Sequence, residues 1–243
     1  MSQQYLVFDI ETHAVDYNSL ADSQKEYLIR GATTEEEKDE KKFQMALSPL
    51  TSEVVCIGLQ LMEGDSDSWE VLQKAAFSTR PDSSSDELEQ ISLSNGDKCF
   101  VGSESRILSD FWKILSKYDR ASLISFNGRG FDAPYLMTRS AILRIKPSRN
   151  LMAGTKFNYP MHFDLADELT FFSPSRIGAT RRYNFDFFAR SFGVTSPKAD
   201  GVDGSKVGEL YKNNQIEEIA EYCLRDVTST WDLFTIWNNY LRF

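Results

Sequence analysis

Two carboxylates, Asp9 and Glu11, stand on either side of Ile10 at the end of the apolar stretch YLVF (5–8). That stretch is β-branched and aromatic, has no Gly or Pro, and predicts a strand. Residues two apart in a strand share a face. Asp9 and Glu11 therefore belong with Tyr5 and Val7, and Leu6, Phe8 and Ile10 take the other side. Like charges side by side repel, and burial adds to the penalty by raising both pKa values. A divalent cation reverses it, because carboxylate and water oxygens suit Mg²⁺ or Mn²⁺. The same spacing also describes a strand end frayed into solvent. With 36 acidic residues in the chain, one Asp-x-Glu pair decides nothing by itself.

A second stretch, SFNGRGFDAPYL (125–136), runs from a strand through a glycine-rich turn to Asp132 at the head of a helix. Gly128 and Gly130 permit a close backbone approach. Asp132 reads equally as a helix N-cap, with Pro134 tolerated in the first turn, and as an acid turned toward a cation. A third stretch is IEEIAEYCLRDVTSTWDLF (216–234), where Ile216, Ile219, Ala220, Cys223, Val227 and Trp231 form one apolar helical stripe. Tyr222 and Asp226 stand one turn apart at its border. An aspartate there costs free energy unless it is paired, bound to a cation or open to solvent.

The elements that must position these residues follow from pattern. EVVCIGLQLM (53–62) is apolar at nearly every position and predicts a strand covered on both faces. Short strands are expected at 98–102 and 121–128, and a further one opens MHFDLADELTFF (161–172) before turning helical. Helices are expected at 103–118 with Ser103 as N-cap, at 131–143, at 182–193 stopped by Gly193, and at 217–241. Residues 14–48 read as an insertion of two short helices, one ending at Gly31 and one highly charged. Residues 64–97 read as a flexible acidic loop with a strand near Trp69–Leu72. Strands gather in the first half and helices in the second, so a single α/β domain over 1–243, a mixed sheet flanked by helices, is the expected packing.

Composition narrows the functional classes. The net charge of −9 argues against a general basic nucleic-acid binder, although the acid is concentrated at 33–42, 63–70 and 81–90. No apolar run reaches the ~20 residues of a membrane span, and a strand beginning by Tyr5 leaves no room for a signal peptide. Three well-separated cysteines, Cys56, Cys99 and Cys223, lack zinc-type spacing and fit free thiols in a reducing cytoplasm.

Taken together the three stretches resemble the DEDD (DnaQ-like) 3′→5′ exonuclease superfamily. FDIET (8–12) looks like its first motif, N-G-R-G-F-D (127–132) its second and Y-C-L-R-D (222–226) its third, in the family's order. Tyr four residues before the last Asp marks the DEDDy branch; the DEDDh branch would place His where Glu221 stands. ALSPLTSEVVCIG, HFDLADEL and the segment 196–227 are similar to stand-alone proteins resembling the proofreading exonuclease domain of family B DNA polymerases, so no polymerase domain is expected alongside. The resemblance implies a ribonuclease H-like fold. It also implies two divalent cations, Mg²⁺ or Mn²⁺, held by Asp9, Glu11, Asp132 and Asp226, with Asp9 bridging and Tyr222 orienting the attacking water. Two cations ~3.5–4 Å apart stabilise both the entering and the leaving oxygen of an in-line displacement. Tyrosine, with a pKa of about 10, suits hydrogen bonding to the nucleophile better than deprotonating it.

The implied partner is the 3′ end of a single strand, DNA favoured over RNA, with nucleoside 5′-monophosphates as product. Ile10, Asn127, Arg129, Phe131 and Lys198 are candidate substrate contacts. Arg176, Arg181, Arg182 and Lys206 are further phosphate-contact candidates, and Phe171, Phe172, Tyr183 and Phe185 are candidates for base stacking. Exposed cations and core aromatics are equally ordinary uses of these residues. His13 and His162 read as structural, with His162 beside Asp164 a minor candidate for metal. Two other functions fit the same residues: a nuclease fold that only binds nucleic acid, and a phosphodiesterase of very short oligonucleotides.

Overall fold

The computed structural model describes residues 2–65, 68–81, 87–196 and 204–242. Seven strands form one mixed sheet: β1 (Gln3–Ala14), β2 (Ser52–Gly64), β3 (Trp69–Ser78), β4 (Glu89–Ser92), β5 (Lys98–Val101), β6 (Ser122–Ser125) and β7 (His162–Asp164). They lie in the order β4-β5-β3-β2-β1-β6-β7. β1 is central, antiparallel to β2 and parallel to β6. Eight helices accompany the sheet among the described residues: α1 (Asp22–Leu28), α2 (Glu35–Phe43), α3 (Glu104–Lys117), α4 (Asp132–Ile142), α5 (Leu165–Glu168), α6 (Phe185–Ser191), α7 (Val207–Lys212) and α8 (Ile216–Tyr240). None is long and apolar enough to cross a membrane. This α/β arrangement is that of a ribonuclease H-like fold.

The two faces of β1 are divided as its alternation requires. Leu6, Phe8 and Ile10 join the core built with Ile107, Leu108 and Phe111 of α3 and Leu136 of α4. Tyr5 and Val7 join Val227, Trp231 and Phe234 of α8 on the opposite face. Asp9 and Glu11 therefore point toward α8.

Three elements differ from the sequence expectation. β1 does not end near its carboxylates but runs on to Ala14, because β2 continues to pair with it. A register shift falls between Glu11 and Thr12; such a bulge re-aims the side chains beside it. The expected acidic loop contains the ten-residue β3 and the edge strand β4. The strand expected near Trp69–Leu72 thus continues to Ser78, where Ala76, Phe77 and Ser78 are buried. α7, a six-residue helix, was not anticipated; Val207, Leu210 and Tyr211 bury it against the sheet.

Where 14–48 was read as an insertion, α1 and α2 bury no side chain. Thr34 and Glu37 form a capping box at the head of α2. Met45 is buried, and Thr12 Oγ1 donates to the Ala46 carbonyl at 2.7 Å, tying the end of this segment to β1.

One glycine sets how closely α8 approaches. Gly58 of β2 pairs directly with Asp9. A Cβ there would lie 2.9 Å from Cys223 Sγ, 3.0 Å from Val227 Cγ2 and 3.2 Å from the Cys223 carbonyl. Gly58→Ala must therefore push α8 outward. The expected result is a loss of about 1–3 kcal/mol of stability in denaturant unfolding, together with weaker divalent-cation binding as Asp226 moves from Asp9. An unchanged midpoint would show that the helix accommodates the methyl group.

Candidate active site

The five residues singled out as catalytic come from three elements. β1 supplies Asp9 and Glu11, the first turn of α4 supplies Asp132, and α8 supplies Tyr222 and Asp226. Asp9, Tyr222 and Asp226 line one cleft of about 240 Å³, whose other walls include Phe126, Asn184, Phe185 and Asp186. Glu11, Asp132, Tyr222 and Asp226 are buried and Asp9 is half-buried. Tyr222 stands one helical turn before Asp226.

Asp132 is not an N-cap. Phe131 occupies that position with no side-chain cap bond, and Asp132 Oδ1 accepts from the Ile10 backbone N–H at 3.0 Å. The bond reaches from α4 to the residue between Asp9 and Glu11, so the second motif is fastened to the first.

The electrostatics follow from this crowding. Burial, then Asp132, Asp226 and Glu11, push the Asp9 carboxyl well above its usual range. Burial and Asp226 do the same to Glu11. Asp132 is pushed to about 7, mainly by burial, against the relief of its backbone hydrogen bonds. Among the described residues no Lys or Arg forms an ion pair with Asp9, Glu11 or Asp132. Asp9, Glu11 and Asp132 thus form a like-charged set of oxygen donors, which fits a seat for divalent metal. Tyr222 is raised by burial and then by Asp226, Glu11 and Asp9, so its hydroxyl keeps its proton at neutral pH.

The turn between β6 and α4 is held by a residue that sequence reasoning gave another use. Asp164, fully buried at the end of β7, accepts from the backbone N–H of Asn127 at 2.8 Å, of Arg129 at 2.9 Å and of Ala166 at 3.1 Å. Its carboxylate is a loop clamp, and its place in HFD ahead of a helix was the available signal. His162 bonds through Nε2 to Ser125 Oγ at 2.7 Å, and burial lowers its pKa to about 3, keeping it neutral. Asn127 takes φ +63°, and a Cβ at Gly128 would lie 2.2 Å from Ser125 Oγ. Only glycine passes there.

The candidate substrate contacts scatter. Ile10 is buried in the core and Phe131 packs partly against it. Arg129 lies over the Tyr159 ring at 3.9 Å and donates to the Ala153 carbonyl at 3.1 Å. Asn127 Oδ1 accepts from Arg182 Nη2 at 2.6 Å. Phe185 lines the cleft, whereas Phe171 and Arg176 are exposed. Phe172 packs against Tyr159, and Lys206 is the N-cap of α7. Lys198 lies outside the described residues. His13 packs its ring against Tyr211 at 5.0 Å.

The fold is ribonuclease H-like, and its central strand opens onto one acidic cleft. Residues 72–241 match the family described as a predicted 3′-5′ exonuclease related to the exonuclease domain of PolB, and the chain belongs to that family. It is similar to DNA polymerase 1 of Sulfolobus acidocaldarius, with 29% identity over 143 residues, or 56% of this chain and 15% of that protein. The chain thus spans under a sixth of that relative. In structure it resembles the family B DNA polymerase of Pyrobaculum calidifontis, with a TM-score of 0.52 and 19% identity, covering 98% of this chain and 24% of the polymerase. That likeness concerns the fold.

The raised carboxyls make stability depend on pH with an unusual sign. A group whose folded pKa lies above its unfolded value binds more protons when folded, so its penalty is full above the folded pKa and fades as pH falls. For Asp132 the window runs from about 7 down to 3.8. In chelator, Asp132→Asn should therefore stabilise the protein by about 1–3 kcal/mol above pH 7, an advantage that shrinks as pH drops. The amide oxygen still accepts from Ile10. Thermal melts of both proteins across this range test it; an equal or lower midpoint for the variant at pH 8 contradicts the electrostatic account.

Proposed function

We propose that the chain is a two-metal-dependent 3′→5′ exonuclease that hydrolyses the terminal phosphodiester of a single strand and releases nucleoside 5′-monophosphates. The observation that carries this reading is the convergence of Asp9, Tyr222 and Asp226 in one cleft, with Asp132 bonded to Ile10 beside them. Asp9, Glu11, Asp132 and Asp226 would hold two Mg²⁺ or Mn²⁺ ions. Bound there, the cations would supply charge stabilisation for the entering and leaving oxygens.

The chain's own groups do the rest. Tyr222, protonated at neutral pH and lining the cleft, positions the attacking water. Outside the cleft the Arg181 guanidinium lies 4.6 Å over Tyr183, which stacks face to face on exposed Phe187 at 4.0 Å and 9°. Such a stack accepts bases without regard to sequence. It adjoins Asn184 and Phe185 of the cleft wall, so an unpaired strand leaving the cleft would run along it. This basic and aromatic ridge reconciles a nucleic-acid substrate with a net charge of −9. The relatives named as DNA polymerases favour DNA. Three free cysteines are consistent with a cytoplasmic setting.

The test is release of mononucleotides from a 3′-labelled oligonucleotide with Mn²⁺. Asp226→Ala should lower kcat by about 10³-fold or more, and Tyr222→Phe by about 10²-fold with KM little changed. If both variants turn over like the wild type, the cleft is not the catalytic centre. If only dinucleotides are cleaved, the substrate is a short oligonucleotide rather than a strand end.

A further inference from the structure

The turn between β6 and α4 is gripped from two sides. On the inner side Asp164 takes the backbone N–H groups of Asn127 and Arg129. On the outer side a chain of polar groups takes the side chains of the same two residues. Arg182 Nη2 donates to Asn127 Oδ1 at 2.6 Å, and Arg182 Nη1 lies 3.6 Å from Asp167 Oδ1. The other Asp167 oxygen accepts from the Tyr159 hydroxyl at 2.8 Å, and the Tyr159 ring lies 3.9 Å from the Arg129 guanidinium. A guanidinium only donates hydrogen bonds. Arg182 therefore fixes which end of the Asn127 amide meets it: Oδ1 is turned to Arg182, and the Nδ2 donors are turned away. Asn127 is half-buried, follows the cleft residue Phe126 and holds a backbone φ of +63°. An amide with no such hold turns end for end and offers an acceptor as readily as a donor. Phosphodiester oxygens only accept, so the orientation held here is the one that suits a nucleic-acid strand.

We infer that Arg182 is a positioning residue that acts on the strand through Asn127: it holds the amide with its N–H donors open to the substrate and does not itself contact phosphate. This role rests on the exonuclease reading. It also sorts the arginines beside the cleft. Arg129 and Arg182 are engaged by the turn and its supporting chain, which leaves Arg181, over Tyr183, to meet the strand. Removing Arg182 leaves Asp132 in place, because Asp164 keeps its hold on the backbone of the turn and Asp132 its bond to the Ile10 N–H.

The experiment follows a 5′-fluorescein oligothymidylate with the full chain: binding by anisotropy in chelator over a series of salt concentrations, and hydrolysis with Mn²⁺. Arg182→Ala should weaken binding and raise KM about tenfold, the loss of one well-made hydrogen bond, with kcat nearly unchanged. Asn127→Ala should do the same, and the double variant should be no worse than either single one. The slope of log affinity against log salt should keep its wild-type value, since no phosphate contact is lost. Arg182→Lys should not restore binding, because one ammonium does not span Asn127 and Asp167 as the planar fork does. Melting temperatures verify folding, and the lysine variant supplies the same comparison if the alanine variant does not fold. A slope reduced by about 0.7, the share of one phosphate on a single strand, overturns the inference. So do full rescue by lysine, additive alanine effects, or a kcat that falls with KM unchanged. A wild type that neither binds nor cleaves the strand overturns the exonuclease reading and this role with it, whereas the other outcomes concern Arg182 alone.

Discussion

Repulsion among carboxylates is the constraint around which the rest of the molecule is arranged. Asp9, Glu11, Asp132 and Asp226 are held where burial has removed most of the water that would screen them, and each of the first three is raised by its neighbours. Such a cluster would spread if any supporting element could yield. Several features prevent it. Gly58 lets α8 lie against β1 and β2, so Asp226 cannot retreat without opening the core around Val227 and Trp231. The Ile10 N–H bonds Asp132 to the strand that carries Asp9 and Glu11. Asp164 fixes the turn before α4 through two backbone N–H groups of that turn. The hydrophobic cores on both faces of β1 thus hold the acids close against their mutual repulsion.

This division of labour explains how unevenly the structure could be read from sequence. α8 was legible because its stripe, Ile216 to Trp231, has helical period and is buried as that period requires. β1 and β2 were legible because strands covered on both faces are apolar at nearly every position. The length of β1 was not, since its polar residues from Asp9 onward look like a strand end unless the partner is known. β3 was legible only near Trp69–Leu72; its continuation to Ser78 rests on pairing with β2 and β5, a tertiary fact. Asp132 was identified as an acid facing the site or capping a helix, and geometry decides between them because the Ile10 N–H is 122 residues away in sequence. Asp164 was noticed for the wrong partner. Its neighbour in sequence is His162, but its lone pairs serve a turn that only the β6–β7 pairing brings near.

Charge distribution shows the same separation of local from global. The chain is acidic overall, and a whole-molecule balance argues against nucleic acid. α2 sets Glu35, Glu36, Glu37, Asp39 and Glu40 among three lysines on a solvated helix with no buried residue. Beside the cleft, Arg181 lies over the Tyr183 ring, Arg182 meets the Asn127 amide oxygen and Asp167, and Arg190 pairs with Asp186. At ordinary ionic strength exposed charges farther apart than ~8–10 Å are largely screened from one another. The charge met beside the cleft is therefore set by this local ridge rather than by the sum over the surface.

The extent of the family match has a structural explanation as well. It begins at Leu72 and so contains Asp132, Tyr222 and Asp226, but not Asp9 and Glu11. Between those acids and β2 lies the segment carrying α1 and α2, whose helices bury nothing and place few demands on which residues fill them. The likeness of fold to a polymerase structure nonetheless covers 98% of the chain, β1 and β2 included. What ties the first motif to the others is register. Asp9 pairs with Gly58, Gly58 admits α8, and α8 carries Tyr222 and Asp226. Moving β1 by one residue along β2 would turn both acids to the α3 face and leave Phe8 and Ile10 against α8. The cores on either side of the sheet forbid that slip, so the hydrophobic pattern of β1, and not the acids themselves, decides that they meet Asp226.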